Sequence, residues 1–226
     1  MPLNVFLDAA VNNTAALLRS LDDAGNGARI VFTSSAAVYG NPAHAPETQV
    51  PAPVTWLGAA KAMAGVLLAT AGRKTGRPIV ELRLYTPYGP GERAERLIPS
   101  LIAAALARRP IPLSAGTQER DFVYIDDVTD ALLAAAHIHA PEPAAFNIGS
   151  GTGTPVRDIV TTVLALLDAS DLARFGALPM RADEIMRMAA DVSAAAARLG
   201  WAPRTTLQEG LRSTIEWYRN DALHRV

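Results

Sequence analysis

The chain has 226 residues, half of them hydrophobic, with 19% charged residues, a formal net charge of −1 and no cysteine. That length fits one domain, or a domain with a small lobe, and the apolar content supports a substantial core. The near-zero charge implies no nucleic-acid partner, and the absence of cysteine excludes disulfides, thiolate metal sites and cysteine nucleophiles.

Residues 3–24 place Val5, Phe6, Ala9, Ala10, Leu17, Leu18 and Leu21 at helical spacing, and Gly25-Asn26-Gly27 ends that helix. A strand is expected over 28–34. Its apolar run, Ile30-Val31-Phe32, empties into Thr33-Ser34-Ser35-Ala36-Ala37-Val38-Tyr39-Gly40. A polar loop with Pro42, Pro46, Pro51 and Pro53 leads to Trp56-Leu57-Gly58-Ala59-Ala60-Lys61 and a helix over 55–73. A buried strand delivering two serines, followed by a helix presenting a lysine, is how an α/β fold sets chemical groups at the carboxyl edge of its sheet. The next strand is expected over 79–84, with the Pro/Gly-rich loop Tyr85–Glu92 at its carboxyl end.

A helix over 97–107 and an extended piece over 110–113 follow. Arg120-Asp121-Phe122-Val123-Tyr124 opens as a strand and yields to a helix over 125–136, with Asp126 or Asp127 near its start. Phe146-Asn147-Ile148 is a strand ending in Gly149-Ser150-Gly151, which is no phosphate loop because no Lys-Ser/Thr follows. A helix over 154–167 has Thr154 as its expected cap. Residues 169–190 are loop-rich and carry Arg174, Arg181 and Arg187. A short helix over 191–199 and an amphipathic helix over 207–220 complete the pattern. The histidines, His44, His137, His139 and His224, lack metal-ligand spacing, so no metal is expected. No apolar run approaches the roughly 20 residues of a membrane span. The first residues show no basic segment ahead of an apolar core, so no signal peptide and a cytoplasmic location are expected.

Several motifs occur in a fixed order: Ser34-Ser35 with Val38-Tyr39-Gly40, Gly58 to Lys61, Arg83 through Tyr88-Gly89-Pro90-Gly91, Leu97-Ile98-Pro99, Arg120 to Tyr124 with Asp126-Asp127-Val128, Phe146 to Gly151, and Leu199-Gly200-Trp201. Together they resemble the extended short-chain dehydrogenases, the NAD-dependent epimerase/dehydratase family that acts mostly on nucleotide sugars. The resemblance implies an α/β fold: an incomplete Rossmann-like parallel sheet flanked by helices, with a small C-terminal substrate lobe. Residues 1–113 would form the truncated core, and residues 114–226 the remaining strands and the lobe, in one compact unit. In that family a Ser closes the strand, and a Tyr and a Lys four residues apart sit on the helix. Ser35 matches the Ser and Lys61 the Lys, but Leu57 stands where the Tyr belongs. Two family asparagines align with Ala10 and Thr86.

The 27 residues ahead of the first strand already hold a helix, so no βαβ unit carrying G-x-G-x-x-G is expected within the chain. The expectation is therefore a protein without a cofactor, NAD included. Its old substrate cleft would perform non-redox chemistry (isomerisation, elimination or cyclisation) on a small molecule. Ser35, Lys61 and Tyr39 are the expected catalytic groups, and Trp56, Leu57, Arg83, Thr86, Tyr88, Arg120 and Arg181 the expected substrate contacts. Lys61 reads equally as a solvated helix lysine, Trp56 as core, and Arg83 and Arg120 as structural ion pairs. Two alternatives stand beside this reading: an NAD-dependent nucleotide-sugar epimerase or dehydratase missing its N-terminal half, and a non-catalytic partner subunit. The first strand's open edge is an association hazard, so a homodimer or a partner chain is expected to cover it.

Overall fold

The computed structural model describes residues 3–25, 27–41, 44–139, 144–181 and 184–224. Asn26 and Pro42 lie outside the described residues, as does the side chain of His224.

The first expected helix is three pieces in one line: α1 (Leu3–Leu7), a π-helical stretch (Asp8–Asn12) and α2 (Asn13–Asp23). The wider turn sets Ala10 into a small cluster with Ala60, Ala64 and Phe32. Gly25, with φ +59°, follows the helix end in the left-handed conformation that glycine favours.

The sheet is built from β1 (Ile30–Ser35), β3 (Ile79–Leu84) and β8 (Ala144–Ile148), all parallel, in the order β1-β3-β8. Its register pairs Phe32 with Glu81 and Glu81 with Ala145, then Ser34 with Arg83 and Arg83 with Asn147. Strand side chains alternate between faces. One face therefore carries Phe32, Ser34, Glu81, Arg83, Ala145 and Asn147 beneath α3 (Trp56–Thr75). The other packs Val80, Leu82, Phe146 and Ile148 with Val128, Ala131 and Ala135 of α5 (Ile125–His137). This is the expected Rossmann-like layering, with β1 ending one residue later than its apolar pattern suggested.

Helix α3 begins at Thr55, whose Oγ1 accepts the N–H of Gly58 at 3.1 Å, and ends at Gly76 with φ +71°. Between β1 and α3 lie a 3₁₀ turn (Ala36–Tyr39) and β2 (His44–Ala45), which pairs with β11 (Ala189–Ala190). Beyond the sheet, β4 (Thr86–Tyr88) pairs with β7 (Phe122–Tyr124), and β5 (Ile111–Leu113) with β10 (Ala173–Phe175).

The expected cap at Thr154 is corrected. Thr154–Pro155 forms β9, antiparallel to β6 (Glu119–Arg120), so Thr154 faces Arg120, and α6 (Val156–Leu166) starts behind Pro155 with no side-chain cap. A tertiary pairing overrode the local capping preference. The lobe's core joins α4 (Leu97–Leu106), α6 and α7 (Leu207–His224) through Ile98, Leu101, Ile159, Val163 and Leu211. Among the described residues no helix is long and apolar enough to cross a membrane.

Candidate functional site

The sheet's carboxyl end gathers the expected groups unevenly. Ser35 closes β1 in extended conformation, and its Oγ accepts the N–H of Ala37 at 3.2 Å, which leaves the hydroxyl proton free to donate. Helix α3 meets the turn after β1 at Gly58, where a Cβ would fall 2.2 Å from the carbonyl oxygen of Ala37. Only glycine permits that approach, and it fixes Lys61, one turn further on, against the strand that carries Ser35. The Lys61 ammonium donates to the carbonyl of Thr33 at 2.7 Å and lies 4.9 Å from the centre of the Phe32 ring. Burial lowers its pKa, and the Glu81 carboxylate opposes that shift.

Trp56 and Leu57 open the first turn of α3 and are 57% and 42% exposed, so neither belongs to the core. Leu57 stands one turn before Lys61 and has no proton to transfer. Thr86 is half-buried and opens β4, with its N–H donating to the carbonyl of Asp121 at 2.9 Å.

Tyr39 and Arg83 lie beneath this end rather than in it. Tyr39 is 2% exposed. Its hydroxyl donates to Asn147 Oδ1 at 2.8 Å and accepts from Arg83 Nη1 at 2.7 Å, and burial is the main cause of its raised pKa. Arg83 also donates to the carbonyl of Glu47 at 3.1 Å and pairs with Glu81 at 3.2 Å. Asn147 ties the network to the loops, donating from Nδ2 to the carbonyls of Ala45 and Asp191 at 2.8 and 3.1 Å.

Tyr88 is 2% exposed in the lobe core, edge-on to Phe122 and Tyr124, with its hydroxyl donating to the carbonyl of Leu207 at 3.3 Å. Arg120 pairs with Glu184 and donates to the carbonyls of Glu119 and Ile185 at 2.7 and 2.5 Å. Burial, with a smaller contribution from the like charge of Arg181, outweighs Glu184 and lowers the Arg120 pKa. Arg181 is exposed beside it. Asp121 is fully buried and accepts from the N–H groups of Ser150, Gly151 and Ala190 and from the Ser150 hydroxyl. It therefore serves as an acceptor for backbone amides of the loop after β8 and of β11.

Sequence reasoning missed Glu47, Glu81 and Asn147. For two of them a signal existed. Glu81 and Arg83 are charged residues two apart in an otherwise apolar strand, and Asn147 is polar between Phe146 and Ile148. A further signal is that Lys61 and Lys74 are the only lysines in a chain with 21 basic residues.

The profile of the NAD dependent epimerase/dehydratase family matches residues 3–149. The chain is 30% identical over 243 aligned positions to the dTDP-glucose 4,6-dehydratase of Salmonella typhimurium, covering 94% of this chain and 66% of that protein. It is 35% identical over 184 to the dTDP-L-rhamnose 4-epimerase of Burkholderia thailandensis, covering 78% and 49%. MoeE5, solved in complex with UDP-glucuronic acid and NAD, superposes with TM-score 0.87 at 32% identity over 94% of this chain and 71% of its own. DesIV, the dTDP-glucose 4,6-dehydratase of Streptomyces venezuelae with NAD and TYD bound, gives TM-score 0.90 at 27% identity over 98% and 69%. The chain spans 63% of one further curated relative and 32% of another.

These matches overturn the expectation of a chain without a cofactor. The missing G-x-G-x-x-G carried that expectation, but part of each relative's length has no counterpart in these 226 residues, so its absence here is no argument against NAD. The donor set at the sheet's carboxyl end fits the ribose end of that cofactor. Lys61 spends one of its three N–H donors on Thr33, and the Ser35 hydroxyl keeps its proton.

Proposed function

Because the chain belongs to the NAD dependent epimerase/dehydratase family, we propose that it forms the sugar-facing part of a site that holds NAD and acts on a nucleoside-diphosphate sugar. The observation that carries this reading is the pairing of Ser35 and Lys61 at the carboxyl end of β1, held in register by the close approach at Gly58. When bound, NAD supplies hydride chemistry. The chain's own residues do the rest. Lys61 offers two unspent donors to ribose hydroxyls. Ser35 donates to a reacting sugar oxygen. Arg120 and Arg181, adjacent in the lobe, offer positive charge to a diphosphate. Trp56 and Leu57 form an apolar lip on the cleft, and Thr86 stands at its floor. Tyr39 and Arg83 hold that floor to the sheet, and Tyr88 holds the lobe.

Leu57 favours a second, finer reading of the reaction. In it the reaction is an isomerisation, elimination or cyclisation, with any proton passing through Ser35, Lys61 or solvent because residue 57 carries none. The outer edge of β1 has no strand partner among the described residues. A second copy of the chain, or a partner chain, covers it in this proposal, since an open apolar edge invites pairing.

The test is calorimetric titration of the protein with UDP-glucose and, separately, with NAD. Binding of the nucleotide sugar that weakens at least about tenfold in Arg120→Ala, a loss of about 1.4 kcal/mol, is the expected result. No heat from either ligand at millimolar concentration would sink the reading.

A further inference from the structure

Beneath α3 a half-open pocket of about 140 Å³ lies against the sheet, lined by Phe32, Gly65, Leu68, Glu81, Arg83 and Ala145, among others. A carboxylate in such surroundings is costly unless it is paired. Glu81 has one partner on its own strand, Arg83 Nη2 at 3.2 Å, and the two side chains are only 14% and 10% exposed. The helix above is shaped around this carboxylate. Gly65 sits in the middle of α3, where glycine is a poor helix former. A Cβ at Gly65 would lie 3.1 Å from Glu81 Oε1 and 3.4 Å from Oε2. Gly65 is also one turn beyond Lys61, so the gap that admits Glu81 opens on the side of α3 that presents Lys61 to the sheet. Register closes the triangle: Glu81 pairs with Phe32, and the Lys61 ammonium lies over the Phe32 ring.

We propose that Glu81 is a positioning residue for Lys61: its carboxylate, anchored by Arg83 and admitted by Gly65, keeps the Lys61 ammonium charged and drawn down onto the carboxyl end of β1. This rests on the reading that Lys61 serves a cofactor and sugar site, which needs a cation with donors to spare. The groups around Glu81 leave little else to do this. Its own strand brings Arg83, α3 brings Lys61, and the turn after β1 brings Tyr39. The loop beyond supplies Glu47, whose carboxylate is engaged at Asn147 N. Phe32 and Ala145, its neighbours on β1 and β8, carry no charge. Asp8, on the π-helical stretch packed against α3, is exposed and bonded to Asn12. The sign agrees at Lys61, where burial lowers the pKa and the Glu81 carboxylate opposes that pull.

The experiment uses the two lysines as probe and control. The protein is reductively methylated with ¹³C-formaldehyde, and the methyl signals of Lys61 and Lys74 are followed through a pH titration by NMR. In Glu81→Gln the Lys61 midpoint moves to lower pH while that of Lys74 stays. Modification of Lys61 near neutral pH speeds up by at least about threefold, because more of the amine is unprotonated. A merely structural role predicts the opposite sign, since loosening around Lys61 admits water and raises its midpoint. Should Glu81→Gln fail to fold, Gly65→Ala decides, because its Cβ pushes the carboxylate away and lowers the Lys61 midpoint by a smaller amount. An unmoved or raised Lys61 midpoint in the folded variants overturns the proposal. The UDP-glucose and NAD titrations report separately, so a protein that binds neither ligand yet shows the Lys61 shift refutes the proposed function and leaves Glu81's role standing.

Discussion

The two outer edges of the sheet are finished in opposite ways. Backbone groups alternate sides along a strand. Ile30 donates to Pro78, and Ile148 accepts from Tyr85, so Thr33 and Asn147 both point away from β3. On β8 the outward N–H of Asn147 donates to the Glu47 carboxylate at 2.7 Å, and the Asn147 side chain is spent on Tyr39, Ala45 and Asp191. On β1 the outward carbonyl of Thr33 accepts from Lys61 at 2.7 Å, a single bond from a side chain that also lies over the Phe32 ring. One edge is sealed by a closed network of buried groups. The other is guarded by a single cation, and its remaining outward groups are left for the covering chain of the proposed function. The sealed edge serves the fold, and the guarded edge carries the groups that the proposed function uses.

The sharpest way to break this contrast is to open the sealed side. Asp121→Ala leaves three backbone donors and the Ser150 hydroxyl without their acceptor in a fully buried position. Urea denaturation is expected to show a loss of about 3–5 kcal/mol. A loss under about 1 kcal/mol would mean that water replaces the carboxylate and that this side is not sealed. Asn147→Ala is expected to cost about 2–3 kcal/mol, because Tyr39 loses its acceptor and two carbonyls lose a donor. Combined with Tyr39→Phe its effect should be less than additive, as members of one network are. Additivity within about 0.3 kcal/mol would dissolve the network into separate bonds.

The two edges also differed in how far the sequence revealed them. Ile79–Leu84 was legible as a strand because its apolar residues dominate, and α3 was legible from its length and its Ala/Leu content. Ser35 and Lys61 were placed by resemblance, with the Gly58 spacing keeping them in register. Glu47 was not legible, because a loop residue that caps a strand about 100 positions away leaves no periodic trace. Thr154 misled for a related reason: its pairing with Arg120 is tertiary, and local capping preference cannot report it. Glu81 and Arg83, alternating with apolar neighbours, suggest a solvent face, and only the cover provided by α3 turns them into a buried pair. The cofactor was not legible because the relatives extend beyond the part that these 226 residues match, and a missing G-x-G-x-x-G among them says nothing about NAD.

Between the edges stands the contact that sets the site's register. Gly58→Ala places a methyl group 2.2 Å from the carbonyl oxygen of Ala37, so the start of α3 or the turn after β1 must move. The expected cost is about 1–3 kcal/mol by thermal unfolding, with loss of UDP-glucose binding exceeding what the stability change explains. Unchanged stability would show that this approach is slack and that Lys61 is not held in place from the helix start.

The guarded edge should respond least in stability and most in its pH dependence. Lys61→Met removes one hydrogen bond from a half-exposed group and keeps most of the apolar stem, so the change at neutral pH is expected within about 0.5 kcal/mol. The alkaline side differs. The folded Lys61 has a pKa below its unfolded value of 10.5, chiefly through burial. Between those two values the unfolded chain binds more protons at this residue, so its contribution to stability rises with pH across that window. Lys61→Met deletes that rise. Buried tyrosines such as Tyr39, whose pKa is raised, pull the other way above pH 10 in both proteins and cancel in the difference. The measured difference between parent and variant should therefore climb as pH rises toward 10.5 and flatten above it. A difference that stays flat throughout would mean that Lys61 is as well hydrated in the folded chain as in the unfolded one, and the edge would then be merely open rather than guarded.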